Sequence, residues 1–372
     1  MHKIGLYVHV PFCVSKCPYC DFYSLPNLSD ELLDRYTQAL MAAMDHWADT
    51  TDVVADTLYF GGGTPSLLGG ERLGRLIRHA DARFQLFEGG TPEITLEANP
   101  ADDLRETFCR FADAGGNRLS LGMQSAHAEE LQSLGRRHTP AQVERAIRDA
   151  HDVGLANLSL DLMLGIPGQT VNSAVASVHR AVAWGARHLS AYMLKLEPQT
   201  PFGQQPPLLP DDDDTADIYM AVMDTLDRCG FEQYEISNAA LPGYASRHNR
   251  KYWVGDAYLG FGPAASSYFD GRRFSYPRDL AHFLNNGGVL PEQDEAIPSG
   301  SPEEYAMLRL RLAEGLADSD YLSRFGTPIP AEWYERADAL PDNLVSVTDE
   351  SMRLTREGFL VSNSLICHIL GV

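Results

Sequence analysis

Six apolar, strand-like segments alternate with amphipathic stretches through the first half of the chain, and this alternation restricts the fold more than any other feature. The segments are Leu6–Val10, Thr57–Phe60, Glu93–Leu96, Arg118–Leu121, Leu158–Leu162 and His188–Leu194. A typical intervening stretch carries Leu32, Leu33, Tyr36, Leu40, Met44 and Trp47, three or four residues apart, as one buried face of a helix requires. Ser29 followed by Asp30 and Glu31 supplies an N-cap and an acidic first turn for that helix. Strands separated by helices run parallel, with right-handed crossovers. The sheet therefore either opens as a doubly wound fold or curls into a complete or partial barrel, and in both cases ligands collect beyond the C-terminal strand ends.

The repeat stops after Glu197. Pro198, Pro201, Pro206, Pro207 and Pro210 mark a stiff loop, and the run Asp211 to Asp214 after it reads as a solvated helix start. Short helical patterns from about Glu303 lead to Leu354–Asn363, which reads as a small winged-helix-like appendage. The 372 residues suffice for one large domain and a smaller one. No apolar run is long enough to span a membrane, and the N-terminal residues lack the apolar core of a signal peptide, so a cytoplasmic location is expected. The net charge of −21 argues against non-specific nucleic-acid binding, which needs a basic face.

Three of the six cysteines fall within eight residues: Cys13, Cys17 and Cys20, spaced C-x3-C-x2-C directly after the first strand. Three thiolates on one short loop can hold three irons of a cubane 4Fe–4S cluster, which ordinarily takes four cysteines. The missing ligand leaves one iron open, as in catalytic metal sites. Zinc would need a fourth ligand, for which His9 is the nearby candidate, and disulfides suit neither so tight a loop nor a cytosolic chain. Cys109, Cys229 and Cys367 are scattered in helix-like contexts and read as buried, reduced thiols.

Further chemistry gathers after the other strands. Gly61-Gly62-Gly63-Thr64-Pro65 lets backbone approach a ligand, and it is not a phosphate loop because no Gly-Lys-Ser/Thr follows. Glu97, Gln124, Ser125, Arg136 and Asp161 lie at or near the ends of successive strands. Together they line a mouth suited to a ligand with hydroxyls, an amine and a carboxylate.

The cysteine run resembles the signature of the radical S-adenosylmethionine enzymes, and Gly61–Pro65 resembles their methionine-binding turn. The stretches Leu121–Ser125, Asp161–Thr170 and Gly260–Ser266 resemble the oxygen-independent coproporphyrinogen III dehydrogenase group. Two departures stand out: Cys20-Asp21-Phe22 has Phe22 where those enzymes carry a further cysteine, and the extension they carry before the cysteines is expected to be absent. With Cys-Asp-Phe and the stretch His248-Asn249-Arg250-Lys251-Tyr252-Trp253, the chain is more similar to the haem chaperone family HemW.

The resemblance implies an α/β fold in which residues 1–230 form a partial (β/α)6 TIM-like barrel and residues 231–372 a smaller, mainly helical domain. It implies a 4Fe–4S cluster on Cys13, Cys17 and Cys20, with S-adenosylmethionine held by Tyr7, Tyr19, Gly62, Gly63, Thr64, Glu97, Gln124, Arg136 and Asp161. Haem is expected at His248, Tyr252 and Trp253, since histidine is a common axial ligand and aromatic faces suit the ring. The implied role is delivery of haem to haem-dependent respiratory proteins, with a flavodoxin or ferredoxin as electron donor and membrane association only through partners. The alternative is a porphyrin-directed enzyme, either a coproporphyrinogen III dehydrogenase or another radical enzyme.

Overall fold

A computed structural model describes residues 2–26, 28–289 and 297–372. The six expected strands form, the first five somewhat longer than the sequence suggested and the sixth one residue shorter: β1 His2–Val10, β2 Val53–Gly62, β3 Glu93–Ala98, β4 Arg118–Gln124, β5 Leu158–Leu164 and β6 His188–Met193. They run parallel in the order β1-β2-β3-β4-β5-β6. The sheet curls into a partial barrel, with β6 joined to a short antiparallel strand and not to β1. The Ser29 cap forms, accepting from the Leu32 amide at 3.2 Å, and Asp211 caps the helix Asp212–Arg228 through the Asp214 amide at 2.8 Å.

Parallel strands covered on both faces usually read as unbroken apolar runs. Here they alternate. On β4, Leu119, Leu121 and Met123 are fully buried, while Arg118, Ser120, Gly122 and Gln124 occupy the other face. On β5, Leu158, Leu160 and Leu162 are buried against the helices, while Ser159, Asp161 and Met163 face the other way. The outer face makes the core with the helices, and the polar inner face lines a cavity.

The boundary expected near residue 230 falls within the sheet. Strands β7 Glu232–Gln233 and β8 Asn238–Ala240 extend it beyond β6, and β9 Tyr258–Phe261 pairs in parallel with β1. Beyond β9 come β10 Ser266–Phe269, β11 Arg272–Ser275 and β12 Ile297–Pro298, all antiparallel. Hydrogen bonding explains this: an open barrel leaves two strand edges, and these short strands satisfy them. The part with its own small sheet, β13 Leu316–Ala317, β14 Val345–Thr348 and β15 Ser351–Leu354, lies further on, among helices that begin at Pro302. It is tied back to the barrel by Arg356, whose guanidinium lies 2.6 Å from both Asp224 and Asp227.

The stretch His248–Trp253 forms the helix Arg247–Val254, which packs against the inner side of the barrel wall. Glu93, the first residue of β3, caps it: its carboxylate accepts from the amides of Arg247 and His248, each at 2.9 Å. A buried negative charge there complements the helix N-terminus. Gly5 allows the close approach, since a Cβ on it would lie 3.1 Å from both His248 and Lys251. No helix among the described residues is long and apolar enough to cross a membrane.

Candidate cofactor site in the barrel

The cysteine loop is pinned at both ends. The Cys13 amide donates to the Leu25 carbonyl at 3.1 Å and the Leu25 amide to that of Pro11 at 2.9 Å. The glycine turn after β2 docks underneath, with the Gly63 amide on Val10 O at 2.9 Å and the Thr64 amide on Phe12 O at 2.7 Å. A Cβ on Gly63 would stand 2.5 Å from the Phe12 carbonyl oxygen, so this contact requires glycine. The three thiols share one cavity of about 340 Å³ inside the mouth of the barrel. Cys13 Sγ lies 3.3 Å from Thr64 Oγ1, and Arg136 Nη1 donates to Cys17 Sγ at 3.5 Å. Among the described residues no three His, Cys, Asp or Glu side chains converge on a single-ion site. A cubane has separate iron corners, so its thiolates need not converge on a point. Burial, together with the neighbouring thiols, raises the Cys20 pKa, so binding iron there displaces a proton.

Of the nine residues expected to contact S-adenosylmethionine, eight line this cavity: Tyr19, Gly62, Gly63, Thr64, Glu97, Gln124, Arg136 and Asp161. Glu97 accepts from Tyr59 Oη at 2.8 Å and from the Gly62 amide at 3.2 Å, while Asp161 accepts from Ser120 Oγ at 3.1 Å. Burial raises the Glu97 pKa to about 7, with the Asp161 charge adding to it, and burial raises that of Asp161 to about 6. Gln124 ends β4 at φ 62°, a left-handed conformation unusual for a residue with a side chain, where the β4–β5 register shifts. Such strain is often retained where it aims a side chain at a ligand.

Tyr7 is placed differently. It lines a second cavity, at the seam between β1 and β9, and its hydroxyl lies 3.3 Å from His9 Nδ1. Sequence reasoning also missed Arg118, which is 1% exposed, lines the first cavity, and has no partner for Nε and Nη1. The signal was present: an arginine at the head of an alternating strand, on the same face as Ser120 and Gln124. Arg136 Nε is likewise buried and unpartnered. Unsatisfied guanidinium nitrogens facing two carboxylates fit a ligand carrying both signs of charge, such as an amino acid moiety. The residues thus fit the cluster and S-adenosylmethionine.

The helix Arg247–Val254 does not fit haem ligation in the way the sequence suggested. His248 is 1% exposed, with Nδ1 2.8 Å from Thr57 Oγ1 and Nε2 2.8 Å from Tyr252 Oη. Its ring stacks on Tyr59 at 5.1 Å, and burial lowers its pKa to about 3. Both nitrogens are engaged in either tautomer, so an iron could reach the ring only by breaking one of these bonds. Asn249 lines the first cavity and Tyr252 the second, while Trp253 lines neither. Two other expectations fail in detail: Cys109 and Cys367 are exposed, not buried. On the helix Arg105–Asp113, Phe108 and Phe111 take the inner face, which turns Cys109 outward.

The radical SAM superfamily model matches residues 7–181, and the HemN C-terminal domain model matches residues 301–361. The structure is similar to that of the coproporphyrinogen III oxidase (HemN) from Escherichia coli, with a TM-score of 0.83 over 99% of this chain and 90% of that one. At 21% identity that likeness shows the fold alone. The barrel, its appended strands and its thiol-lined mouth thus define a protein with the radical SAM fold. Among curated sequences the chain is 36% identical over 371 residues to the Heme chaperone HemW of Escherichia coli (strain K12), covering 98% of this chain and 97% of that protein. It is 37% identical over 380 residues to that of Mycobacterium tuberculosis (strain ATCC 25618 / H37Rv), covering 99% and 95%, and 32% identical over 375 residues to that of Bacillus subtilis (strain 168), covering 98% of each. The chain belongs to the haem chaperone HemW family.

Proposed function

We propose that this chain is a haem chaperone: it takes up haem and delivers it to haem-dependent respiratory proteins, using an enzyme-like barrel that carries a 4Fe–4S cluster and S-adenosylmethionine. The observation that carries this reading is the end-to-end similarity to proteins named as haem chaperones in distant bacteria. A three-cysteine cluster, when bound, supplies a one-electron donor and an open iron for an amine and a carboxylate.

The chain's own residues do the rest. Arg136 offers its free Nε to a ligand carboxylate while Nη2 stays on the Gly122 carbonyl at 3.0 Å. Glu97 and Asp161 accept from the ligand's hydroxyls. Tyr59, Tyr19 and Tyr192 line the cavity. The cluster draws electrons from a small donor such as a flavodoxin or ferredoxin, and the protein works in the cytoplasm, meeting membranes only through its acceptors. Cys13, Cys17 and Cys20 leave no thiol in the next turn, because Phe22 occupies that position and is 63% exposed.

The competing reading, oxidative decarboxylation of coproporphyrinogen III, is separable by assay. Reconstituted protein incubated anaerobically with coproporphyrinogen III, S-adenosylmethionine and reductant is expected to form no protoporphyrinogen beyond a single turnover. Sustained product formation would replace the chaperone reading with the enzymatic one.

A further inference from the structure

The second cavity is not needed by the cluster or by the eight residues gathered in the barrel mouth. It holds about 320 Å³, the lower end of the range for pockets that take organic ligands. Its walls are Tyr7, His9, Tyr23, Tyr252 and Tyr258, with Phe22 and Arg278 at the rim. Tyr252 and Tyr258 meet edge to face at 4.6 Å, which fixes both rings. His9 cannot act as a free base or ligand, since Nε2 lies 3.0 Å from the Tyr23 carbonyl oxygen and Nδ1 3.3 Å from Tyr7 Oη. The loop that closes one side carries Ala264 at φ 67°, again left-handed for a residue with a side chain. The site is thus aromatic, prearranged, and equipped with one exposed cation.

We propose that this cavity holds an edge of the tetrapyrrole ring of the haem cargo, with Arg278 pairing a ring carboxylate. The proposal rests on the haem-carrier reading above. Flat aromatic walls match a flat macrocycle. A chain of net charge −21 needs a local cation to accept a dianionic ligand, and the Arg278 side chain, 60% exposed, stands ready. Its present partner is Asp21 at 3.3 Å, a residue of the cysteine loop. A ring carboxylate that takes Arg278 therefore removes the ion pair of Asp21, next to Cys20, and leaves it the hydrogen bond from Gln199. Phe22 lines both cavities, so the two sites share one wall. Haem occupancy and the cluster loop are coupled through Asp21-Phe22. Recognition by faces and carboxylates, without a histidine on the iron, extends to metal-free protoporphyrin IX.

The test titrates the full-length, cluster-loaded protein with haemin and with protoporphyrin IX, read by the Soret band and by fluorescence quenching. Arg278→Glu, and Ser266→Trp, which fills the cavity from its exposed edge, should each weaken both ligands about tenfold or more, the scale of losing a charge-assisted contact. Iron content and far-ultraviolet circular dichroism should stay unchanged, and Trp253→Ala should bind as the unaltered protein does. If the unaltered protein holds one haem and both cavity variants hold it equally well, the haem lies elsewhere and the chaperone reading survives. The same conclusion follows if protoporphyrin IX fails to bind where haemin does. If the unaltered protein retains no haem at all, both readings fall.

Discussion

Replacing any one of Cys13, Cys17 and Cys20 by alanine abolishes the broad visible absorption of the reconstituted protein, whereas serine at Cys109, Cys229 or Cys367 leaves it intact. The geometry makes this an all-or-none effect. The three thiols line one cavity on a loop pinned by backbone bonds at Cys13 and Leu25, so no other cysteine can substitute for a lost one. Cys109 and Cys367 lie exposed on helices, and Cys229 ends the helix Asp212–Arg228; none of them lines that cavity. Two thiolates would have to hold a cubane through half of its corners, against the three or four that such clusters use. Iron and sulfide analysis alongside the spectra checks the result. Loss of the cluster in one of the remote variants would overturn the assignment.

S-Adenosylmethionine binding should weaken by about 1.5–3 kcal/mol in Arg136→Ala and again in Glu97→Gln, the usual scale for hydrogen bonds to charged groups. Anaerobic isothermal titration reads this as a ten- to hundredfold loss of affinity. The pH dependence has a definite sign. In the free protein Glu97 titrates at about 7 and Asp161 at about 6. A ligand carrying a sulfonium charge favours both ionised carboxylates, so the complex holds fewer protons than its parts. Affinity therefore rises as the pH climbs through about 6 to about 7 and levels off above, and Glu97→Gln flattens the upper part of the rise. A profile that falls over that window, or unchanged affinity in both variants, would mean that the cavity binds something else.

Much of this site could be read from the sequence because its signals are local. Cys13, Cys17 and Cys20 lie within eight residues, and the polar stripe of β4 recurs at every second position. Glu97, Gln124 and Asp161 follow because parallel strands bring their C-terminal ends to one mouth. What stayed hidden depends on contacts distant in sequence. The helix Arg247–Val254 takes its place from Glu93, more than 150 residues earlier, so its histidine read as an available ligand when it is a buried, doubly bonded side chain. Tyr7 sits on the expected face of β1, but β9, arriving some 250 residues later, draws it into a different cavity. The sheet's extension beyond residue 230 escaped notice for the same reason: two- to four-residue strands leave almost no periodicity to detect.

Haem transfer tests the central claim most directly. Protein loaded with one equivalent of haem is mixed, under anaerobic conditions, with the apo form of a haem-dependent respiratory protein, and the partners are separated and their spectra recorded. The account predicts that the Soret absorption leaves this chain and appears in the acceptor, in its native form, faster than haem escapes to a non-specific scavenger. Haem that stays bound, or that reaches acceptor and scavenger at the same rate, would contradict it.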